Sequence, residues 1–246
     1  MIPSDIGGVL FDLDGTLYAH SRRLKLFMAL ACARDLGLLR RLSSVRRELA
    51  GRAFATEAAF FEAHHRLLAE RCGVSPGRAR RFYDERFLPA LVELLRRHAR
   101  ARPGLVERFR ELGARGVACC VLSDHGRIEE RLEALGIAPR LFAACASSTE
   151  SGALKPAPAP FLRMAERLGI PPPRWLVVGD RADTDAAGAA AAGMAFLGIG
   201  DRAAAAGFEP WPRVLERLAE IGREASRSAE PAGAADARAP RSADAG

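Results

Sequence analysis

Residues 9–17 read Val-Leu-Phe-Asp-Leu-Asp-Gly-Thr-Leu, a short apolar run that ends on two carboxylates separated by one residue. The apolar part is typical of a buried strand, and the Gly-Thr pair that follows indicates a turn. In an open α/β sheet, ligands bind beyond the carboxyl ends of the strands. Asp12 and Asp14 therefore stand where a nucleophile, a metal ligand or a proton donor is expected. The alternative is an Asp-rich turn in which the carboxylates only cap the backbone.

Three further patterns follow in the chain, each at the end of a strand-like run or the start of a helix-like one. Residues 121–123 (Val-Leu-Ser) close an apolar run, and Lys155 is followed by proline before a helix-like segment. Residues 175–180 (Trp-Leu-Val-Val-Gly-Asp) precede two more acids, Asp183 and Asp185. Together with the first stretch, these patterns resemble, in order, the four motifs of the haloacid dehalogenase-like hydrolase superfamily.

The resemblance covers about residues 5–200 and implies an α/β fold, a Rossmann-like, doubly wound parallel sheet with an inserted α-helical cap domain. The residues support it, because helix-like and strand-like patterns alternate after the first hundred residues, as in parallel sheets covered on both faces. The patterns predict strands over residues 5–11 and 141–146, helices over residues 127–135 and 160–168 that each end at a glycine, and a closing helix over residues 213–223. We expect residues 1–17 and 101–223 to form the core and residues 18–100 the cap. Residues 224–246 contain almost no large apolar residue, which predicts a disordered tail.

Composition narrows the class of protein. The chain has 246 residues, 49% of them hydrophobic, and five scattered cysteines without a metal-binding spacing. No signal peptide or membrane span is apparent, so we expect a cytoplasmic protein with reduced thiols. Residues 18–100 hold 18 basic and 8 acidic residues. This excess would steer an anionic ligand or would simply form a solvated surface, and no nucleic-acid-binding motif accompanies it.

The resemblance also implies a role for each motif residue in phosphoryl transfer. Asp12 would attack phosphorus and form an aspartyl-phosphate. Asp14 would protonate the leaving group and later activate water, which requires a raised pKa that nearby carboxylates could supply. Lys155 would neutralise Asp12 and the phosphoryl oxygens, and it is one of only two lysines in a chain that otherwise uses arginine.

The phosphate and metal sites follow from the same motifs. Thr16 would orient Asp12 or the adjoining loop, Ser123 would donate its hydroxyl to a phosphate oxygen, and backbone N–H groups near Asp124 would add to this site. Mg²⁺ suits a carboxylate and phosphate environment. Its implied ligands are Asp12, the backbone carbonyl of Asp14, and Asp180, while a metal-bound water would be held by Asp185 or by its rival Asp183.

These patterns lead to one hypothesis and two alternatives. The second acid, Asp14, favours a phosphatase over a dehalogenase, so we expect a capped, Mg²⁺-dependent phosphatase acting on a small phosphorylated metabolite, with no nucleic-acid or membrane partner. A sugar-phosphate phosphomutase and a non-catalytic binding or regulatory protein remain open, and the sequence does not determine the oligomeric state. In the cap, at most one of Arg22, Arg23, His64 and His65 is expected to contact substrate.

Overall fold

The computed structural model of the chain describes residue 3, residues 5–200 and residues 207–228, with side chains described up to residue 221. Within these residues the strands are β1 (Gly8–Phe11), β2 (Ala118–Ser123), β3 (Ala144–Ser147), β4 (Trp175–Gly179), β5 (Ala195–Ile199) and β6 (Phe208–Glu209). The α-helices are α1 (Arg22–Ala31), α2 (Leu36–Leu49), α3 (Glu57–Cys72), α4 (Pro76–Arg81), α5 (Leu88–His98), α6 (Leu105–Ala114), α7 (Ile128–Ala134), α8 (Ala159–Leu168), α9 (Ala187–Ala191) and α10 (Trp211–Ser228).

All six strands are parallel and form one sheet in the order β3-β2-β1-β4-β5-β6. The last residue of β1, Phe11, is in register with Val121 of β2 and Val178 of β4. The backbone N–H of Asp12 continues this pairing by donating to the Val178 carbonyl over 2.9 Å. Parallel strands in this register end at the same edge, so the residues that follow β1, β2 and β4 meet there.

Both faces of the sheet are covered by helices, and the side chains of β1 show why. Successive residues of a strand point to opposite faces. Val9 and Phe11 pack in a core that includes residues of α6 and α10, whereas Leu10 packs in a second core with residues of α8 and α9. A strand with both faces buried reads as an uninterrupted apolar run. The prediction of an α/β, Rossmann-like parallel sheet is therefore confirmed.

Helices α1 to α5 form a segment, called here the helical insertion (residues 22–98), that lies between β1 and β2 in the chain. A π-helical turn, Phe82–Phe87, joins α4 directly to α5. The insertion touches the sheet region through an isolated antiparallel bridge between Ala53 and Ala153. Its buried apolar side chains belong to the same core as those of α6. The insertion occupies the position at which the resemblance predicts a cap domain.

The structure corrects several predicted element boundaries. The first strand, predicted over residues 5–11, begins only at Gly8, and β6 was not predicted. A strand was predicted over residues 141–146, but β3 spans Ala144–Ser147, because a 3₁₀ turn, Pro139–Leu141, occupies the start of that stretch.

The carboxyl-terminal helix also differs from its prediction. The closing helix, predicted over residues 213–223, extends to Ser228, so the first residues of the predicted tail are helical. Residues 229–246 of that tail lie outside the described residues. Within the described part of the chain, no helix combines the length and apolarity needed to cross a bilayer.

Candidate active site

Three carboxylates from separate segments converge at the carboxyl edge of the sheet. Asp12 follows β1, Asp180 follows β4, and Asp185 lies in the π-helical turn that precedes α9. One carboxylate oxygen from each lies within 4.8 Å of the others. The structure thus brings together the side chains of Asp12, Asp180 and Asp185, which were predicted for the metal site, although about 170 residues separate the first from the last.

Lys155 lies at the centre of this carboxylate cluster. Its Nζ donates to Asp12 Oδ1 and to Asp185 Oδ1, each over 2.6 Å, and its side chain is only 5% exposed. Burial alone would lower the pKa of Lys155, but the carboxylates of Asp12 and Asp185 outweigh that effect and raise it well above its usual value. Lys155 is therefore a fixed cation beside Asp12, which is the contact that its predicted role requires.

The remaining carboxylate oxygens have the properties of a site for a hard cation. Asp12 Oδ2 and Asp180 Oδ1 are buried and have no hydrogen-bond partner among the described residues. Burial raises the pKa of both groups, and neighbouring carboxylates raise it further, against the opposing charge of Lys155. Mg²⁺ takes oxygen ligands and offsets carboxylate repulsion. The donor set at Asp12, Asp180 and Asp185 therefore fits Mg²⁺.

Two glycines allow the carboxylates to approach one another. Gly15 has a φ of +90°, and a Cβ built there would lie 2.1 Å from Asp180 Oδ2. A Cβ on Gly179 would lie 2.5 Å from the side chain of Asp185. Any larger residue would displace an acid, since real Cβ contacts are not that short. The glycines of the first and fourth motifs are thus required by the geometry of the site.

The structure corrects the expectation for Asp14. Its carboxylate forms an ion pair with the guanidinium of Arg131, whose side chain is fully buried, and accepts a 2.7 Å hydrogen bond from the Tyr18 hydroxyl. Burial would raise the pKa of Asp14, but the charges of Arg131 and His125 outweigh burial and lower it below its usual value. The predicted raised pKa is wrong, because a buried cation from α7 was not visible as a partner of this acid.

The predicted phosphate-binding residues have different environments. Ser123 Oγ accepts hydrogen bonds from the His125 N–H (3.2 Å) and from Arg131 (3.0 Å), and lies 3.3 Å from Asp14 Oδ2, to which it donates. Its hydroxyl is therefore already used within the protein. Thr16 Oγ1 is buried without a partner among the described residues, and Thr16 does not line the cavity described below.

Asp124, by contrast, lines that cavity, and the orientation of its side chain explains an acid in a phosphate loop. Asp124 Oδ1 accepts a 3.2 Å hydrogen bond from the backbone N–H of Lys155. The carboxylate is thereby tied to the third motif, beside the cation of Lys155, whose pKa its charge raises.

The two rival acids of the fourth motif are separated by the structure. Asp185 is buried, contacts Lys155 and accepts a 3.2 Å hydrogen bond from the Arg181 N–H. Asp183 is exposed, and its carboxylate pairs with the Arg181 side chain over 2.6 Å, a hydrogen bond that lowers the pKa of Asp183. Only Asp185 belongs to the carboxylate cluster, so the geometry favours it over Asp183.

A cavity of about 760 Å³ opens above the cluster, between the sheet edge and the helical insertion. None of the four cap candidates from the sequence, Arg22, Arg23, His64 and His65, lines it. His64 is instead fully buried, among rings that include Phe60 and Tyr83. The insertion residues that do line the cavity are Leu24, Lys25, Met28, Leu39, Ser43, Arg46, Arg47, Ala50, Phe87 and Leu91.

Sequence reasoning missed two arginines of the site, Arg131 and Arg46. Arg131 lies eight residues after Ser123, in α7, and no distinctive residue pattern marks it. Arg46 lies on α2, where cavity-lining residues recur at helical spacing from Leu39 to Ala50. The helical spacing of these residues can be recognised in the sequence, but it does not reveal which face of the helix lies against the site.

A family model described as haloacid dehalogenase-like hydrolase matches residues 6–193. The curated glyceraldehyde 3-phosphate phosphatase of Methanopyrus kandleri is 27% identical over 213 residues, which are 79% of this chain and 84% of that protein.

Solved structures show the same fold. A HAD phosphatase from Thermococcus onnurineus aligns with a TM-score of 0.59 at 23% identity, over 88% of this chain and 97% of its own. A putative beta-phosphoglucomutase from Thermotoga maritima aligns with a TM-score of 0.60 at 19% identity, over 88% of this chain and 100% of its own. The family match covers well over half of the chain and all four motifs. The chain is therefore an enzyme that belongs to the haloacid dehalogenase-like hydrolases.

Proposed function

We propose that the protein is a Mg²⁺-dependent phosphatase that hydrolyses a small phosphomonoester through an aspartyl-phosphate on Asp12. The observation that carries this proposal is the contact of Lys155 with Asp12 and Asp185, beside Asp180, at the floor of a cavity. The phosphatase name of the Methanopyrus kandleri relative supports the same chemistry. The cavity volume accommodates a small metabolite.

In the first step, an Asp12 carboxylate oxygen attacks phosphorus, a P–O bond to the substrate alcohol breaks, and Asp14 gives a proton to the departing oxygen. In the second step, Asp14 removes a proton from water, the water oxygen attacks phosphorus, and the Asp12–phosphorus bond breaks to release inorganic phosphate. Splitting the hydrolysis in this way replaces one difficult step with two easier ones. Lys155 stabilises negative charge on Asp12 and on the phosphoryl oxygens throughout.

Asp14 is ionised in the free enzyme because Arg131 holds its pKa low. It can donate only after it gains a proton. A phosphoryl group bound beside Asp14 adds negative charge next to this carboxylate, which raises its pKa. This change of pKa on substrate binding lets one carboxylate serve first as an acid and then as a base.

Mg²⁺, when bound, neutralises charge on the carboxylates and on the phosphoryl group. Asp12, Asp180 and the backbone carbonyl of Asp14 are proposed as its ligands, and Asp185 is proposed to hold a water in its coordination sphere. The helical insertion is proposed to act as the cap, with residues 18–100 as its extent and residues 1–17 and 101–223 as the core.

The cavity wall favours a phosphatase over a phosphomutase. A mutase of this kind needs an acid–base pair from the cap to move the phosphoryl group between two hydroxyls. Among the cavity-lining residues of the proposed cap (residues 18–100) there is no aspartate or glutamate, and the one histidine, His20, lies 3.8 Å from Asp180 of the carboxylate cluster. Transfer to water needs no such pair, so hydrolysis is the reaction that these residues support.

We expect p-nitrophenyl phosphate to be hydrolysed with Mg²⁺, the activity to be lost in EDTA, and excess Mg²⁺ to restore it. The reason is that Asp12, Asp180 and Asp185 repel one another and a bound anion unless a cation offsets their charge. Phosphate release measured across several pH values is the test. Full activity in EDTA, or no release under any condition, would contradict the proposal.

The two rival acids can be separated with a matched pair of variants. Asp185→Asn is expected to weaken Mg²⁺ activation by about 10- to 100-fold, since outer-sphere carboxylates contribute that much to metal affinity. Asp183→Asn makes the same chemical change on the exposed side of the loop and should shift it less than about 2-fold. Mg²⁺ titrations of activity and of binding heat measure both. Equal effects of the two variants on Mg²⁺ activation would contradict the assignment of Asp185 as the acid that contributes to the metal site.

A further inference from the structure

A buried arginine of the helical insertion lines the cavity without a carboxylate partner. Arg46 is 8% exposed, and its guanidinium donates to the Tyr83 hydroxyl over 3.1 Å and to the backbone carbonyl of Asp124. Its Cζ also lies 5.8 Å from the centroid of the Tyr83 ring. Both hydrogen-bond acceptors are uncharged, and Arg46 has no ion pair with any residue that the structure describes.

The two other buried cations of this region differ in that respect. Arg131 pairs with Asp14, and Lys155 pairs with Asp12 and with Asp185. Taking a cation out of water is costly, and buried charges in proteins are usually paired for that reason. The positive charge of Arg46 also adds to the effect of burial in lowering the pKa values of His64 and His125. Arg46 therefore places an uncompensated positive charge at the cavity wall.

Two exposed cations lie on the same wall. Lys25 of α1 and Arg47 of α2 both line the cavity, and neither side chain makes a hydrogen bond or ion pair with the described residues. Arg47 and Asp183 line the same cavity, and the charge of Arg47 contributes to the lowered pKa of that acid. The insertion thus presents three cations and no acid to the cavity, opposite the carboxylate cluster.

We propose that Arg46, assisted by Lys25 and Arg47, binds a second anionic group of the substrate, so that the substrate is a phosphomonoester that also carries a carboxylate or another phosphate. This inference rests on the proposed function. Lys155 and a metal on the floor of the cavity would neutralise the charge of the reacting phosphoryl group. The cations of the insertion then remain available to bind the opposite end of the substrate. A charge-assisted hydrogen bond to such an anion would give Arg46 the negatively charged partner that it lacks within the described residues.

The wall around these cations suits a short carbon skeleton between two anions. Leu24, Met28, Phe87 and Leu91 contribute apolar surface from α1, α5 and the π-helical turn. Apolar walls with a few placed charges are typical of small-metabolite sites, in which the charges fix orientation. A substrate with anions at both ends would be held across the cavity in a single orientation.

The test compares substrate pairs that differ only in the distal group. One pair is 3-phosphoglycerate and glycerol 3-phosphate, which isolates a carboxylate. The other is fructose 1,6-bisphosphate and fructose 6-phosphate, which isolates a second phosphate. We expect the wild-type protein to show at least a 10-fold higher kcat/KM for the doubly anionic member of one pair, and the pair that shows it identifies the anion.

Variants test whether the cations of the insertion cause the preference for the doubly anionic substrate. Arg46→Gln is expected to lower the ratio of the two kcat/KM values by about 10- to 100-fold, the usual effect of losing a hydrogen bond to a charged group. The Lys25→Ala/Arg47→Ala double variant, which changes only exposed side chains, should lower the same ratio at least 3-fold. Arg40→Ala is the control, because Arg40 is an exposed arginine of α2 that does not line the cavity.

The outcomes separate this inference from the proposed function. No phosphate release from p-nitrophenyl phosphate or from any of the four probes would refute the phosphatase itself. Release without a preference for the doubly anionic probes would overturn only the second-anion site. An equal loss on both members of a pair in Arg46→Gln would place Arg46 at the reacting phosphoryl group and would also overturn it. If Arg46→Gln does not fold, the ratio of the two kcat/KM values in the Lys25→Ala/Arg47→Ala variant tests the second-anion site, and an unchanged ratio would overturn it.

Discussion

Asp12→Asn is expected to lower phosphate release from p-nitrophenyl phosphate by at least about 10³-fold, a loss typical of removing a catalytic nucleophile. Asparagine has nearly the same shape as aspartate but offers no anionic oxygen to attack phosphorus. It also removes one of the carboxylates that the proposed metal site needs. The measurement is the initial rate with saturating Mg²⁺, wild type against variant.

The same substitution should leave the fold intact, which makes the loss of rate interpretable. Asp12 is surrounded by other carboxylates that raise its pKa beyond the effect of burial, so removing its charge relieves repulsion while weakening the contact with Lys155. Asp5→Asn is the matched control, since Asp5 is an exposed acid that precedes the same strand and pairs only with Arg174 at the surface. A variant at position 12 that kept more than a tenth of the wild-type rate would refute the nucleophile assignment.

Arg131→Met is expected to lower the free energy of unfolding by about 3–5 kcal/mol, the usual cost of breaking a buried ion pair by removing one partner. Arg131 is fully buried, pairs with Asp14, and donates to Ser123 Oγ and to the His125 carbonyl. Its loss leaves the buried Asp14 carboxylate without its counter-charge and removes one donor from each of the two other acceptors. Urea unfolding at pH 7 measures the effect.

Two controls make this result specific. Arg66→Met removes an exposed arginine paired with Glu62 and should cost less than about 1 kcal/mol. The Arg131→Met/Asp14→Asn double variant should cost less than the sum of its single changes, because the uncompensated carboxylate is gone. Additive costs would show that the two side chains do not stabilise each other.

The same pair has a defined pH dependence. The pKa of Asp14 is lower in the folded protein than in the unfolded chain, so the unfolded chain binds more protons as acidity increases. The stability supplied by the pair is complete above the ordinary aspartate pKa, about 4, and is lost as the pH falls through the lower folded value. The measurement at pH 7 therefore captures its full effect.

Most of the sheet could be predicted from sequence because its signals are local. The run before Asp12 and the run before Asp180 are apolar without alternation, as buried parallel strands require. Glycines after Leu135 and Leu168 correctly indicated where two helices end. The predicted start of β3 was less accurate, because the residues that lead out of the 3₁₀ turn, Pro139–Leu141, are apolar like those of the strand that follows.

The sequence by itself determined the parallel α/β class and the residues that follow its strand ends, since both depend on apolar runs and turns within a few positions. Only the tertiary structure decided which charges meet. Arg131 pairs with Asp14 across 117 positions of sequence, and Arg46 reaches the Asp124 carbonyl across 78. The contact with Arg131 keeps Asp14 ionised, and the contact with the Asp124 carbonyl holds the charge of Arg46 at the cavity wall. Electrostatic energy depends on distance and burial in space, and neither quantity is encoded in local spacing.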